Sequence, residues 1–150
     1  MITYFNNENL LDSDADVLVC TVNMVGVMGK GLALEVKRRW PEIENSYQLA
    51  IENGDLAIGR VWASRVGDLF DDKLILLFPT KNHWKNPSRM SYIDGGLESL
   101  VSWISDNNIK SIAIPPLGCG NGGLSWLEVL PRIETVMSEV DCEIEIYPPQ

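Results

Sequence analysis

The architecture of this chain is set by Leu74-Ile75-Leu76-Leu77-Phe78, followed directly by Pro79-Thr80-Lys81-Asn82-His83-Trp84-Lys85-Asn86-Pro87. The first five residues form a short, uninterrupted apolar run, which is typical of a strand buried inside a sheet. We expect Pro79 to end this strand, because proline has no N–H to donate to a sheet ladder. Lys81 would then lie just beyond the carboxyl end of a buried strand, where ligands bind in open α/β sheets.

Strands and helices alternate along the rest of the chain. The predicted strands cover residues 2–5, 16–23, 60–66, 73–78, 111–114 and 143–147. The predicted helices cover residues 32–40, 42–53, 92–107 and 126–140, although Pro131 weakens the last prediction. Residues 68–72 are predicted to turn between two strands. This alternation predicts a layered α/β sheet.

Composition limits the class of protein. A length of 150 residues, 45% of them hydrophobic, suits a single domain with a real core. The apolar runs are shorter than a membrane span, and the N-terminus lacks the features of a signal peptide. We therefore expect a cytoplasmic protein without membrane contact. Cys20, Cys119 and Cys142 are interpreted as reduced packing residues, and neither a metal site nor a cofactor is predicted.

Charge is distributed unevenly along the chain. The net charge of −9 argues against broad affinity for nucleic acid, which depends on cations that neutralise phosphates. Residues 73–93 nevertheless contain no Asp or Glu. The same stretch carries Lys73, Lys81, His83, Lys85 and Arg89. A local basic face on an acidic protein is therefore expected there.

Two glycine-rich segments each lie between a predicted strand and a predicted helix. The first is Gly26-Val27-Met28-Gly29-Lys30-Gly31, which taken alone is equally compatible with a plain turn. The second, Leu117-Gly118-Cys119-Gly120-Asn121-Gly122-Gly123, contains four glycines within six residues, more than a turn requires. Glycine allows a backbone to approach a ligand, and helix N-termini favour anions. The pair predicts a ligand that carries a diphosphate.

Three motifs together resemble the macrodomains, which bind ADP-ribose, and within them the DarG-type DNA ADP-ribosyl glycohydrolases. The motifs are Thr21-Val22-Asn23-Met24-Val25-Gly26-Val27-Met28-Gly29-Lys30-Gly31-Leu32-Ala33, Pro79-Thr80-Lys81-Asn82-His83-Trp84 and Leu117-Gly118-Cys119-Gly120-Asn121-Gly122-Gly123-Leu124-Ser125-Trp126. The resemblance covers nearly the whole chain. It implies a single macrodomain over residues 1–150, folded as a three-layer α/β/α sandwich with a mixed central sheet. ADP-ribose would lie in a cleft at the strand ends.

The resemblance also implies roles for individual residues. Lys81 would be catalytic, Asn23 would lie near the distal ribose, and Asn9 would replace an adenine-contacting Asp found in many macrodomains. ADP-ribose would be bound by Asn9, Asn23, Gly26, Val27, Met28, Gly29, Lys30, Gly31, Thr80, Gly118, Cys119, Gly120, Asn121, Gly122 and Gly123. On local charge and a possible stacking ring, the candidates for DNA contact are His83, Trp84, Lys85 and Arg89.

Gly122 departs from one branch of the family. Relatives that cleave protein carboxyl esters carry an Asp at the matching position, whereas the DarG branch lacks it. The departure therefore favours the DNA-directed branch and leaves no carboxylate partner for Lys81. As an ammonium, Lys81 could protonate the leaving base; as a neutral amine, it could attack the anomeric carbon. Because an ordinary lysine is protonated at neutral pH, we favour the acid role, and both roles stay open.

The expected function is removal of ADP-ribose from DNA bases, with thymidine in single strands as the expected target. Such an enzyme would reverse a DarT-type toxin, as an antitoxin with a role in DNA repair. Its partners would be ADP-ribose, ADP-ribosylated single-stranded DNA and that toxin. Two alternatives remain: a non-catalytic ADP-ribose-binding module, and a hydrolase acting on ADP-ribose 1″-phosphate or O-acetyl-ADP-ribose.

Overall fold

The computed structural model describes residues 1–70 and 72–150. The strands are β1 Ile2–Tyr4, β2 Val17–Asn23, β3 Trp62–Val66, β4 Lys73–Lys81, β5 Ser111–Ile114 and β6 Glu143–Ile146. The helices are α1 Gly31–Arg39, α2 Ile43–Glu52, α3 Met90–Asp106 and α4 Trp126–Met137, with short 3₁₀ helices at Leu10–Asp12 and Gly120–Gly122. Each predicted strand and helix is present, with ends that differ by at most three residues. The turn predicted over 68–72 includes Asp71, which lies outside the described residues.

The strands form one mixed sheet in the order β1-β6-β5-β2-β4-β3. The paired strands are parallel except β3, which runs antiparallel to β4. Successive residues of β2 enter different cores: Val19 packs with α3 and α4, whereas Leu18 packs with α1 and α2. The sheet is thus covered on both faces, which explains the continuous apolar runs of its central strands. The predicted three-layer α/β/α sandwich is confirmed.

Pro79 does not end its strand, so that prediction is wrong. β4 continues through Pro79 to Lys81, which is the last residue of the strand and not a residue beyond it. The pairing of β3 with β4 stops at Leu77, so no neighbour on that side needs a donor from Pro79. On the other side the register with β2 shifts between Val22 and Asn23. Proline is tolerated at such irregular, singly paired positions.

Pro131 lies inside α4 without ending it. Its missing N–H leaves the carbonyl of Leu127 without the usual helical donor. That turn faces solvent, since the Leu127 side chain is 86% exposed. Water can therefore satisfy the carbonyl, and the apolar face formed by Val129, Ile133 and Met137 stays buried in the core.

The helix α3 packs closely against β4 at Gly96. A Cβ built on Gly96 would lie 2.2 Å from Cζ of Phe78, far below any normal contact. The Phe78 ring is itself fully buried, so it has little room to move. Glycine at this position therefore sets the distance between the helix and the strand that ends in Lys81.

Candidate active site

A cleft of about 840 Å³ opens at one edge of the sheet. The parallel strands β2, β4 and β5 all end there, so the segments that follow them meet. We call residues 26–31 loop one, residues 118–123 loop two and residues 80–87 the lysine segment. A Cβ on Gly31 of loop one would lie 3.8 Å from the Asn121 amide of loop two, so the loops approach each other. The volume is typical of a small-ligand site.

Most of the predicted site residues line this cleft. They are Asn23, Val27, Gly29, Lys30, Gly31, Thr80, Lys81, Trp84, Lys85, Gly118, Cys119, Gly120, Asn121, Gly122 and Gly123. The cleft is also lined by residues to which the sequence analysis assigned no role, namely Thr21, Val22, Leu32, Ala33, Asn86, Pro87, Pro115 and Pro116. The structure does not bring Asn9, Gly26, Met28, His83 or Arg89 to the lining.

Met28 and Gly26, which do not line the cleft, support loop one on the side that faces α1 and α2. Met28 is fully buried and packs in the core with α1 and α2, so its side chain points away from the cleft. Gly26 adopts a φ of 94°, which glycine accepts readily. Its carbonyl accepts a hydrogen bond from the Gln48 amide of α2 at 3.0 Å. Both residues therefore shape the loop, and their contact with ADP-ribose stays a prediction.

Asn9 lies in a different depression. Its Oδ1 accepts the Leu11 N–H at 3.0 Å and so caps the first 3₁₀ helix. The depression is lined partly by Phe5 and Tyr147, whose rings stack with centroids 5.1 Å apart. The Asn9 acceptor thus already serves the cap. The contact of Asn9 with adenine stays a prediction.

Loop one is built around the Asn23 side chain. Its Oδ1 lies 3.0 Å from the Val25 N–H and 3.1 Å from the Gly26 N–H, and its Nδ2 donates to the Val27 carbonyl at 2.9 Å. The Tyr47 hydroxyl reaches the same Oδ1 at 2.8 Å. Asn23 thus lines the cleft and orders its wall, rather than offering a free amide.

Sequence reasoning missed the role of Tyr47. The signal was present, since Ile43, Tyr47 and Ala50 form the buried face of α2. A buried tyrosine hydroxyl needs a hydrogen-bond partner. Asn23, at the end of β2, is such a partner. Burial raises the pKa of Tyr47, so the hydroxyl stays a proton donor at neutral pH.

The first turn of α1 faces the cleft. Gly31, Leu32 and Ala33 line it, and the N-cap residue Lys30 makes no side-chain hydrogen bond to the turn. The turn also contains no acidic residue, whereas the last turn is basic. Free N–H groups at a helix N-terminus attract anions, so this wall suits a phosphate.

The charged residues that line the cleft are the cations Lys30, Lys81 and Lys85, and no Asp or Glu is among the described lining residues. This contrasts with the net charge of −9 for the whole chain. The site therefore suits an anionic ligand and lacks the carboxylate pair of common glycosidases. Residues 1–70 and 72–150 contain no cluster of His, Cys, Asp or Glu suited to a metal ion. No helix in those ranges is long and apolar enough to cross a membrane.

Lys81, the last residue of β4, lines the cleft. Its carbonyl accepts the Met24 N–H at 3.0 Å, which ties the end of β4 to the start of loop one. Its Nζ donates to the Trp84 carbonyl at 3.2 Å. An ammonium has three N–H donors, so two remain for a ligand. Beside it, the Lys85 Nζ lies 5.0 Å from the centroid of the Trp84 ring, which is 45% exposed.

The remaining candidates lie outside the lining or carry no activated group, and the DNA contacts of His83 and Arg89 stay predictions. His83 is half-buried, and its Nδ1 accepts the Lys85 N–H at 3.1 Å. Arg89 is exposed and immediately precedes α3, away from the lining. Cys119 lines the cleft, but burial raises the pKa of its thiol, so it is a poor nucleophile. Burial also raises the pKa of Cys20, to about 12.

Gly122 is fixed as glycine by its neighbour Ser88. A Cβ on Gly122 would lie 2.5 Å from Oγ and 3.1 Å from Cβ of Ser88. Ser88 is 5% exposed, its Oγ has no hydrogen-bond partner in the described part of the chain, and its N–H donates to the Gly122 carbonyl at 2.9 Å. Ser88 thus leaves little room for a side chain at position 122, a steric restriction that the sequence did not reveal.

We expect Gly122→Ala to lower the free energy of unfolding by about 1–3 kcal/mol, because the new methyl overpacks a closed site. Combining it with Ser88→Gly should recover part of that loss, since the opposing atoms are removed. A double-mutant cycle by urea denaturation measures the coupling between the two positions. Additive effects would show that Ser88 does not restrict residue 122.

Comparison with known proteins gives a consistent result. The family model described as "Macro domain" matches residues 19–133. A curated relative from Mycobacterium tuberculosis, "DNA ADP-ribosyl glycohydrolase", is 47% identical over 99% of this chain, which spans 42% of that relative. The solved macrodomain of M. tuberculosis DarG is 47% identical, with a TM-score of 0.93, covering 100% of this chain and 99% of that one. Thermosipho africanus DarTG in complex with ADP-ribose is 36% identical, with a TM-score of 0.89, covering 94% and 40%.

Proposed function

This chain belongs to the macrodomain family, and from that membership we propose that it is a hydrolase that removes ADP-ribose from DNA bases. The chain spans less than half the length of the curated relative named DNA ADP-ribosyl glycohydrolase. That relative and this chain are nevertheless 47% identical where they align. The proposed substrate is thymidine-linked ADP-ribose in single-stranded DNA.

The observation that carries this proposal is a cationic cleft, with no carboxylate among its described lining residues, that is lined by Lys81 and by two glycine loops. The α1 N-terminus and loop two supply N–H groups for a diphosphate. Lys81 lies at the same edge, at the end of β4, with two ammonium donors to spare. A nucleotide held by its diphosphate would therefore present its distal ribose to a proton donor.

Hydrolysis breaks the bond between the anomeric carbon and the base nitrogen, and water adds to that carbon. The departing base leaves with the electron pair and needs a proton. The Lys81 ammonium can supply that proton, or a hydrogen bond to the base, without help from a second acid. Attack by the neutral Lys81 amine on the anomeric carbon remains the competing route.

We further propose a DarT-type transferase as the source of the modified DNA. The support is the 36% identity with Thermosipho africanus DarTG, whose structure contains ADP-ribose. The exposed Trp84 ring and the Lys85 ammonium lie at the cleft rim and are our candidates for contact with the DNA strand. A cytoplasmic location is proposed on the three free cysteines.

The test is incubation of the protein with a single-stranded oligonucleotide that carries ADP-ribose on one thymidine. Mass spectrometry should show conversion to the unmodified oligonucleotide, together with free ADP-ribose. An unmodified oligonucleotide and a reaction without protein serve as controls.

Each other result has a defined meaning. Tight binding of ADP-ribose in calorimetry without cleavage would assign the cleft to a binding module. Cleavage of O-acetyl-ADP-ribose or ADP-ribose 1″-phosphate, with the oligonucleotide left intact, would assign it to a small-molecule hydrolase. Either result would overturn the proposed DNA substrate.

A further inference from the structure

We propose that His83 is a positioning residue for Lys81, because its imidazole fixes the peptide group that binds the Lys81 ammonium. The sequence made His83 a candidate for DNA contact. The structure places its ring outside the cleft lining, half-buried beside Trp84, with ring centroids 5.1 Å apart. The kinetic part of this inference rests on the proposed function, whereas its structural part does not.

The connection runs through the peptide group between Trp84 and Lys85. On one side, the Trp84 carbonyl accepts the Lys81 Nζ at 3.2 Å. On the other side, the Lys85 N–H donates to the His83 Nδ1 at 3.1 Å. In a planar trans peptide the C=O and N–H point in opposite directions. His83 therefore holds the N–H end, and the C=O end is aimed at Lys81.

The rest of the lysine segment leaves this peptide dependent on His83. The segment is anchored near its ends, where the Asn82 amide donates to the Tyr92 hydroxyl at 2.9 Å and the Ser88 N–H donates to Gly122. Between these anchors, the Asn86 N–H donates to the His83 carbonyl at 3.0 Å. His83 thus accepts two hydrogen bonds inside the turn, one on its backbone and one on its ring.

The His83 imidazole accepts the Lys85 N–H in only one of its two neutral tautomers. Because Nδ1 accepts the Lys85 N–H, the ring proton lies on Nε2 in the neutral imidazole. In an Asx turn, an asparagine side chain likewise accepts a hydrogen bond from the N–H of the second residue after it. Asparagine is therefore the conservative replacement at position 83, although it has no aromatic ring.

The test compares His83→Phe, which keeps a ring and loses the acceptor, with His83→Asn, which keeps an acceptor and loses the ring. On the ADP-ribosylated oligonucleotide we expect His83→Phe to lower kcat about 10- to 100-fold, as displacement of a reacting group does. KM should change less than threefold, because a displaced Lys81 affects the transition state and leaves binding of the substrate nearly unchanged. His83→Asn should restore most of kcat.

A raised KM with unchanged kcat in both variants would overturn the proposal in favour of DNA contact. Normal kcat in His83→Phe with a loss in His83→Asn would overturn it in favour of ring packing.

A second readout is independent of turnover. In ¹H–¹⁵N spectra, the Lys81 ammonium and Lys85 amide signals should shift in His83→Phe and return in His83→Asn. If wild-type protein cleaves no oligonucleotide, the proposed function fails, and these signals still decide the role of His83. Unchanged Lys81 and Lys85 signals in His83→Phe would overturn the positioning role.

Discussion

Lys81→Ala is expected to lower kcat on the ADP-ribosylated oligonucleotide by about 10²–10⁴-fold, the usual contribution of a positioned proton donor. The affinity for free ADP-ribose should change only a few-fold, because the α1 N-terminus and loop two remain. Single-turnover kinetics and calorimetry measure the two quantities separately. Equal losses in binding and turnover would instead make Lys81 a phosphate ligand.

Two further variants define what Lys81 contributes. Lys110→Ala is the matched control, since Lys110 precedes β5 at the opposite edge of the sheet. It should leave kcat unchanged. Lys81→Arg keeps the positive charge but neither releases a proton readily nor attacks as an amine. Recovered activity in Lys81→Arg would indicate that charge alone suffices. An ADP-ribose adduct trapped on Lys81 of the wild type by borohydride, which reduces the imine formed with the ring-opened sugar, would establish the nucleophilic route.

Gly96→Ala is expected to lower the free energy of unfolding by about 1–3 kcal/mol or more, the range for overpacked cores. The added methyl would lie 2.2 Å from the Phe78 ring, which is fully buried between β4 and α3. Urea denaturation should show a lower midpoint with an unchanged slope. Because Lys81 follows Phe78 by three positions on β4, turnover should fall as well.

Gly95→Ala is the matched control in the same helix. Its Cβ would lie 3.5 Å from the Gly59 Cα, an ordinary contact. Helix propensity alone favours alanine over glycine by up to about 1 kcal/mol, so this variant should be neutral or slightly more stable. Equal destabilisation by both substitutions would show that the helix, and not the Phe78 contact, is responsible. The double variant Gly96→Ala with Phe78→Leu should lose less free energy of unfolding than the two single variants lose in sum.

The fold was predictable because its central strands are buried on both faces. Continuous apolar runs in β2 and β4 identify such strands, and the parallel arrangement brings their carboxyl ends to one edge. The position of Lys81 and of both glycine loops follows from that rule. The predicted strand end at Pro79 was wrong. The prediction assumed that a neighbouring strand needs the N–H that proline lacks, and the sequence does not reveal that β3 stops pairing at Leu77.

The unpredicted parts of the site depend on contacts between distant segments. Tyr47 reaches Asn23 across 24 positions of sequence, and Ser88 meets Gly122 across an even larger separation. The pattern of α2 indicates that Tyr47 is buried, but neither pair forms a motif, so no spacing in the chain identifies the partner. His83 was assigned to DNA by its charge and neighbours, whereas its hydrogen bonds turn inward to the lysine segment.

The contact between Ser88 and Gly122 also restricts how this domain can evolve. A Cβ at position 122 would lie 2.5 Å from the serine hydroxyl, so a carboxylate in loop two requires the Ser88 side chain to move. Removing Ser88 first would leave a gap in a buried wall of the loop. We therefore expect the two positions to be coupled, with each single substitution giving a less stable protein than the pair of substitutions. A side chain at position 122 is therefore expected to be tolerated best together with a change at Ser88, or in a protein with a stability reserve acquired elsewhere.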